Sequence, residues 1–326
     1  MKVAVLTGPE RFEIADVPPP DPAPDEALVK VAACGVCASE LPAWAGTVPT
    51  DYPRHLGHEV SGTVVGTGRD VRDLAVGTPV GAWVTSHGFA ELVAVRAAHC
   101  RPAGDVPLDQ VLAEPLACAV NAVEEAGVRL GDDVALIGAG FMGNLVQLLV
   151  QLRGVRRLVV ADTRPDALER AKALGATEVV DVRSRTLPSA GADITFECTG
   201  TQAALDVLGE VTRMSGKLVL VGFHQGAPRR VPLGHWNWMA FDIVNGHYRD
   251  PEVIMRGLDA GMRLLTAGVI SLEPLVTHRF PLAEIGAAFA AAREKPPGFV
   301  KATVLPQADS RTTSGQGSTT VRPTPV

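Results

Sequence analysis

The chain is short of several things, and each shortage narrows its class. It has five cysteines in 326 residues (Cys34, Cys37, Cys100, Cys118 and Cys198), an odd number without the density of a disulfide scaffold, which leaves free thiols or metal ligands as their roles. No apolar run approaches the roughly 20 residues that span a bilayer. The first seven residues alternate like a strand and lack the basic flank and apolar stretch of a signal peptide, so a cytoplasmic location is expected. Positive charge is scarce too: 30 Lys and Arg stand against 36 Asp and Glu, a net charge of -6. That argues against nucleic acid or an anionic membrane as partner and leaves a small-molecule substrate open.

What is present is ordinary for a globular protein, 46% hydrophobic and 20% charged, at a length that predicts two domains. Residues 1–102 read as short strands broken by Gly and Pro, for example 27–33, 60–66 and 89–95, with no helical rhythm. From Leu130 strands and helices alternate. The pattern predicts strands at 133–137, 158–161, 178–180, 193–197 and 217–221, and helices at 143–153, 164–174 and 202–213. This predicts an α/β fold with a parallel, doubly wound sheet. Helices at 251–267 and 282–294 and strands at 275–280 and 298–305 look like a return to the first module. The stretch 307–326 is Ser, Thr, Gly and Pro with almost no large apolar residue; it cannot repay its ordering entropy and is expected to be disordered.

The segment Ala135-Leu-Ile-Gly138-Ala-Gly140-Phe141-Met142-Gly143 sets three glycines between a buried strand and a helix. Gly138 suits a tight turn, Gly140 close approach of a pyrophosphate, and Gly143 helix–strand packing, while the helix start offers unpaired N–H groups. About twenty residues on, Asp162 ends the next strand where a dinucleotide ribose is held, favouring NAD, with Thr163 and Arg164 beside it and Arg164 keeping NADP as the alternative. Asp162 can also be read as a cap of the following helix.

Elsewhere the chain offers Cys34-Gly35-Val36-Cys37-Ala38-Ser39-Glu40, Gly57-His58-Glu59 and Glu114-Pro115-Leu116. Mixed sulfur, nitrogen and oxygen donors suit zinc, and three protein ligands with an open position make a catalytic site. Taken singly, Cys34 and Cys37 also read as core thiols, His58 as a satisfied buried histidine, and Glu114 as a helix cap.

Together with Phe196-Glu197-Cys198-Thr199-Gly200 and Val221-Gly222, these motifs resemble, in order and over residues 1–306, the medium-chain zinc-dependent alcohol dehydrogenases, particularly the branch of sorbitol and threonine dehydrogenases. The resemblance implies a β-rich, GroES-like catalytic domain at 1–118 and 248–306 and an inserted Rossmann domain at 119–247. It implies zinc held by Cys37, His58 and Glu114, with Glu59 entering or leaving the coordination shell. Ser39 would relay the substrate proton, and Cys198, Thr199, Val221, Gly222 and Phe223 would line the nicotinamide. It also implies a homodimer or homotetramer.

Three departures stand out. Only Cys100 falls between residues 66 and 113, where relatives carry a four-cysteine structural-zinc lobe, so one zinc per chain is expected. Glu40 replaces the usual Asp after the relay hydroxyl, and Pro42 the histidine that often completes the proton path. Trp44, His87 and His235-Trp236-Asn237-Trp238 are read as walls of a pocket for a polyol, cyclitol or sugar-like alcohol, or else as packing and subunit contacts, while His247 and Arg249 either face the cleft or end the inserted domain. Two other readings stand beside it: a zinc-free reductase of double bonds, which would have vacated the ligand positions, and a dinucleotide-binding protein without turnover.

Overall fold

A computed structural model of the chain describes residues 1–184, 187, 191–224 and 226–307. The stretch expected to be disordered lies outside the described residues, apart from Gln307. No helix among the described residues is long and apolar enough to cross a membrane.

Two sheets organise the chain, beside a small antiparallel pair, Lys2–Gly8 with Arg11–Asp16. The first has seven strands, and its centre is Glu26–Gly35, whose alternating burial follows its alternating sequence. That strand pairs antiparallel with Glu59–Thr67, Leu92–Arg96 and Lys301–Leu305, so the last strand among the described residues joins a sheet begun near the chain's start. The second sheet is parallel throughout, in the order Glu178–Asp181, Arg157–Asp162, Asp133–Ile137, Ala192–Glu197, Thr212–Leu220, Asp242–Asn245. This is the doubly wound order predicted from the alternating pattern, and the chain reverses direction across the sheet between Asp133–Ile137 and Ala192–Glu197. Helices cover both faces, which is why strands such as Val134-Ala135-Leu136-Ile137 are apolar without alternation.

The helix Ala113–Ala126 packs between the parallel sheet and a second long helix. Leu116, Val120 and Val123 share one core with Val134 and Leu136 of the parallel sheet and with Leu258, Met262 and Leu265 of the helix Pro251–Thr266. The two helices meet closely because glycine faces the contact: a Cβ at Gly257 would sit 2.5 Å from Asn121 Oδ1, and one at Gly261 2.8 Å from Leu116 Cγ.

Most expected elements fall within a few residues of their sequence-based bounds. The 202–213 helix ends earlier, at Val211, because Thr212 already pairs with Ala192 in the sheet. The first hundred residues do contain a helical turn, Ala38–Glu40 followed by Leu41–Trp44. Pro42 sits in its first turn, where its fixed φ and missing N–H cost nothing, and four residues are too few for periodicity to reveal.

Candidate active site

The Cys34–Glu40 and Gly57–Glu59 segments meet where two antiparallel strands end side by side, with Gly35 paired directly to Glu59. Gly35 is required there: a Cβ would lie 2.0 Å from Glu59 Oε2. Cys37 follows two residues past the end of its strand, and His58 immediately precedes the other. The Sγ of Cys37, a ring nitrogen of His58 and a carboxylate oxygen of Glu59 lie within 4.8 Å of one another.

Neighbours fix each of them. Ser39 Oγ donates to Cys37 Sγ at 3.1 Å. Glu40, buried on the adjoining turn, accepts from Gly57 N at 2.7 Å through Oε1, the same oxygen that lies 3.1 Å from His58 Nδ1. Burial works against a charged His58, but Cys37 and Glu40 outweigh it and push its pKa up to about 12. A pocket anionic enough to hold that proton suits a cation. Glu59 Oε2 is buried without a hydrogen-bond partner, and the set is one thiol, one imidazole and one carboxylate, so the residues present fit a zinc ion.

Glu114 stands in the first turn of Ala113–Ala126, outside this three-residue cluster but within electrostatic reach of His58, Glu59 and Lys301. Burial raises its pKa, Glu59 adds to the rise, and His58 opposes it. Its Oε1 accepts from Cys118 Sγ at 3.3 Å, one turn further on, and it does not cap the helix.

Beside the cluster lies the glycine loop. Gly138 has φ +103°, and a Cβ there would lie 2.5 Å from Thr199 Cγ2; one at Gly143 would lie 1.9 Å from the carbonyl oxygen of Gly138. At Gly140 nothing stands within 4 Å of such a Cβ, so the backbone is open to a ligand at the start of the helix Phe141–Gln151. Phe141 and Met142 pack partly on the shared core. Asp162 braces the loop, accepting from Ala139 N at 2.7 Å, Thr163 N at 2.7 Å and Arg164 N at 2.9 Å. Arg164 also donates to Phe299 O at 3.3 Å, and Asp166 accepts from Gly298 N at 3.0 Å, so the last loop of the chain straps this end of the groove.

At the other end, the fully buried Glu197 joins two loops. It accepts from Thr199 N, Thr199 Oγ1 and Gly200 N at 2.5–2.9 Å and lies 2.8 Å from His224 Nε2. Cys198 N donates to Ile137 O, and Val221 N and Gly222 N to Glu197 O, all at 2.8 Å. The two loops, one with Cys198 and Thr199 and one with Val221, Gly222 and Phe223, therefore stand at the carboxyl ends of adjacent parallel strands, where the chain reverses across the sheet.

The alcohol dehydrogenase GroES-like domain matches residues 23–143, and the zinc-binding dehydrogenase family matches residues 142–242. Sorbitol dehydrogenase of Homo sapiens is 30% identical over 87% of this chain and 90% of its own length. The chain belongs to the medium-chain zinc-dependent alcohol dehydrogenase family. L-galactonate-5-dehydrogenase of Escherichia coli K12 is 26% identical over 87% of this chain and 93% of its own. A zinc-binding dehydrogenase of Sinorhizobium meliloti 1021, solved bound to NADP, superposes with a TM-score of 0.82 at 26% identity, covering 94% of this chain and 99% of that one.

The structure separates the two readings of the aromatic residues, pocket wall or packing. Trp44 is 2% exposed and packs on Phe289 at 5.6 Å with the Arg293 guanidinium over its ring, so it is core. Trp236 is buried with Leu205 and Leu208 on the outer side of the parallel sheet, and Trp238 is 79% exposed. His87 stacks on His55, centroids 4.3 Å apart, and lines a cavity with Trp83, Ser86 and Val93. Arg249 is exposed, but His247 does face the groove, with Nε2 3.2 Å from Gly222 O and its ring near Phe223. The sequence reading missed two residues. Glu40 was noted only as a departure from Asp, although it orients His58. Lys301, 5% exposed, donates to Glu59 Oε1 at 2.6 Å.

Proposed function

We propose that the chain interconverts a secondary alcohol of the polyol, cyclitol or sugar-like kind and its ketone, with NAD(P) and one zinc ion. The observation that carries this reading is the Cys37–His58–Glu59 cluster standing one side chain from the dinucleotide loop: Lys301 touches Glu59 on one side and Phe141 on the other. The zinc-free reductase reading would have that cluster vacated.

Cys37, His58 and Glu114 would hold the ion, with Glu59 entering or leaving its shell. Zinc, when bound, supplies a Lewis acid that polarises the substrate oxygen. Glu40 engages His58 Nδ1 and so leaves the other ring nitrogen to ligate. Ser39 Oγ is the group that takes the alcohol proton and passes it outward. With Pro42 in place of a histidine, its next acceptor is solvent. The segments 198–200 and 221–223, locked together by Glu197, would hold the nicotinamide over the carbinol carbon, which shortens the hydride's path. Asp162 favours the unphosphorylated ribose of NAD, with Arg164 beside it for NADP. We assign residues 1–118 and 248–306 to the catalytic domain, 119–247 to the dinucleotide domain, and the active enzyme to a cytoplasmic homo-oligomer.

The test is metal content by elemental analysis of the wild type and a Cys37→Ala variant, beside a screen of polyols with NAD and NADP. About one zinc per chain, lost with Cys37, and cofactor reduction by a polyol are expected. Zinc-free protein that still binds the dinucleotide would overturn the reading.

A further inference from the structure

The parallel sheet sets two acids side by side: Asp162 and Asp181 are direct partners at the carboxyl ends of neighbouring strands, and each is followed two residues on by an arginine, Arg164 and Arg183. Beside those strand ends lies a cavity of about 360 Å³ whose walls carry three cations, Arg164, Arg183 and Lys295, against one acid, Asp166. The acid is engaged, accepting from Gly298 N at 3.0 Å. The cations are not fully satisfied. Arg183 holds Asp181 through Nε at 3.0 Å and Nη2 at 2.8 Å, which leaves its Nη1 without a partner among the described residues. The Lys295 ammonium makes no hydrogen bond or ion pair among the described residues. Loss of solvent around it lowers its pKa, with Arg164 adding to the fall and Asp162 opposing it. Lys295 also stands at φ +49°, just past the helix Ile285–Glu294, a left-handed position that favours glycine. A long cationic side chain is thus placed against local backbone preference, facing a space with two more cations.

Such a cavity suits an anion, and its place beside Asp162, where a dinucleotide ribose is held, says which. Asp162 alone repels a phosphate on that ribose, but both its oxygens already accept backbone N–H groups, from Ala139, Thr163 and Arg164. We infer that the cavity takes the 2′-phosphate of NADP on Arg164, Arg183 and Lys295, whose charge outweighs that of Asp162, so that the groove holds NADP more tightly than NAD. The inference rests on the proposed dinucleotide groove and deepens it by naming the cofactor. The two guanidinium groups offer forked N–H donors to phosphate oxygens, and the ammonium adds a compact charge. Two of these residues lie outside the glycine signature and its acid. Arg183 follows the next strand of the sheet, and Lys295 comes from the segment assigned above to the catalytic domain. That segment is fastened to the cavity's rim by the bonds of Gly298 N to Asp166 and of Arg164 to Phe299 O, which keep Lys295 at the opening. Cofactor choice is therefore shared by both halves of the chain.

The experiment is the dissociation constants of NADH and NADPH by fluorescence, and of 5′-AMP, 2′,5′-ADP and 3′,5′-ADP by calorimetry, on the wild type and on Lys295→Met, Arg183→Gln and Lys172→Met. The wild type should bind NADPH about tenfold tighter than NADH, and 2′,5′-ADP about tenfold tighter than 5′-AMP, the usual size of a hydrogen bond to a charged group. 3′,5′-ADP carries the same charge with the phosphate one carbon away, and should bind as 5′-AMP does. Lys295→Met and Arg183→Gln should each lose most of the preference for the 2′-phosphate while binding NADH and 5′-AMP as the wild type does. Lys172→Met removes an exposed cation of the neighbouring helix that does not line the cavity, and should change nothing. A wild type that binds NADH as tightly as NADPH overturns the inference. So does a wild type that takes both bisphosphates alike, or a Lys295→Met and an Arg183→Gln protein that keep the preference or weaken NADH and NADPH equally. A wild type that binds neither dinucleotide overturns the proposed function instead, and the inference with it.

Discussion

Glu40 touches no reacting atom in the proposed scheme, yet it fixes the histidine that does. Its Oε1 spans Gly57 N and His58 Nδ1 at once, so truncation removes both the anchor of the loop and the partner of the ring. Glu40→Ala is expected to weaken zinc binding by about 10–100-fold, the usual cost of losing such a carboxylate. Chelator competition measures it, and Glu40→Gln, which keeps the size but not the charge, should fall between. The other thiols make a contrast. Burial pushes Cys100 up to about 12, and burial likewise raises Cys34, Cys118 and Cys198 well above the ordinary thiol range. A raised thiol pKa means less thiolate at a given pH, and the thiolate is the nucleophile. Near neutral pH these four should react with iodoacetamide far more slowly in the native than in the unfolded chain, Cys100 gaining rate steadily as the pH is raised. Peptide mapping that finds Cys100 labelled at the rate of a free thiol would contradict its burial.

Among the elements, the glycine turn tolerates least. A Gly143→Ala methyl would have to share space with the carbonyl oxygen of Gly138, a backbone atom that cannot swing aside. The substitution is expected to cost about 1–3 kcal/mol of stability and to raise the dissociation constant for NAD, read by thermal melting and by cofactor fluorescence. That turn was legible in the sequence because everything it needs is local: a fully buried strand, three glycines, a helix start and an acid about twenty residues on. The strand Asp133–Ile137 even has its expected bounds, being an apolar run closed by Gly138. Other features had no local signal. Lys301 and Glu59 are 242 residues apart, and only the closing of the sheet by the last strand brings them together. For Trp44 the sequence leaves two readings open, because an aromatic beside a metal motif looks alike whether it lines a cleft or packs under a helix, and the structure takes the second.

At the scale of the molecule, the parallel sheet ends on Asp242–Asn245, paired among the described residues only on its Thr212–Leu220 side. Ile243 on that strand is 46% exposed, and Leu233 and Trp238 on the preceding helix are 64% and 79% exposed. An uncovered strand edge beside apolar side chains suits pairing with a second copy. Light scattering is expected to give a dimer or a multiple of it, and Ile243→Lys to shift the mass toward the monomer; a wild type that is monomeric at tens of micromolar would refute the assembly. The helix Ala113–Ala126 has a different consequence. Its apolar residues share one core with the parallel sheet and with the helix Pro251–Thr266, whereas the core of the seven-stranded sheet is a separate cluster that holds none of them. Calorimetry should accordingly record the parallel sheet and the helix Pro251–Thr266 melting together, in one transition. The dinucleotide groove therefore cannot outlast the helix Pro251–Thr266, although no glycine-loop residue lies on that helix.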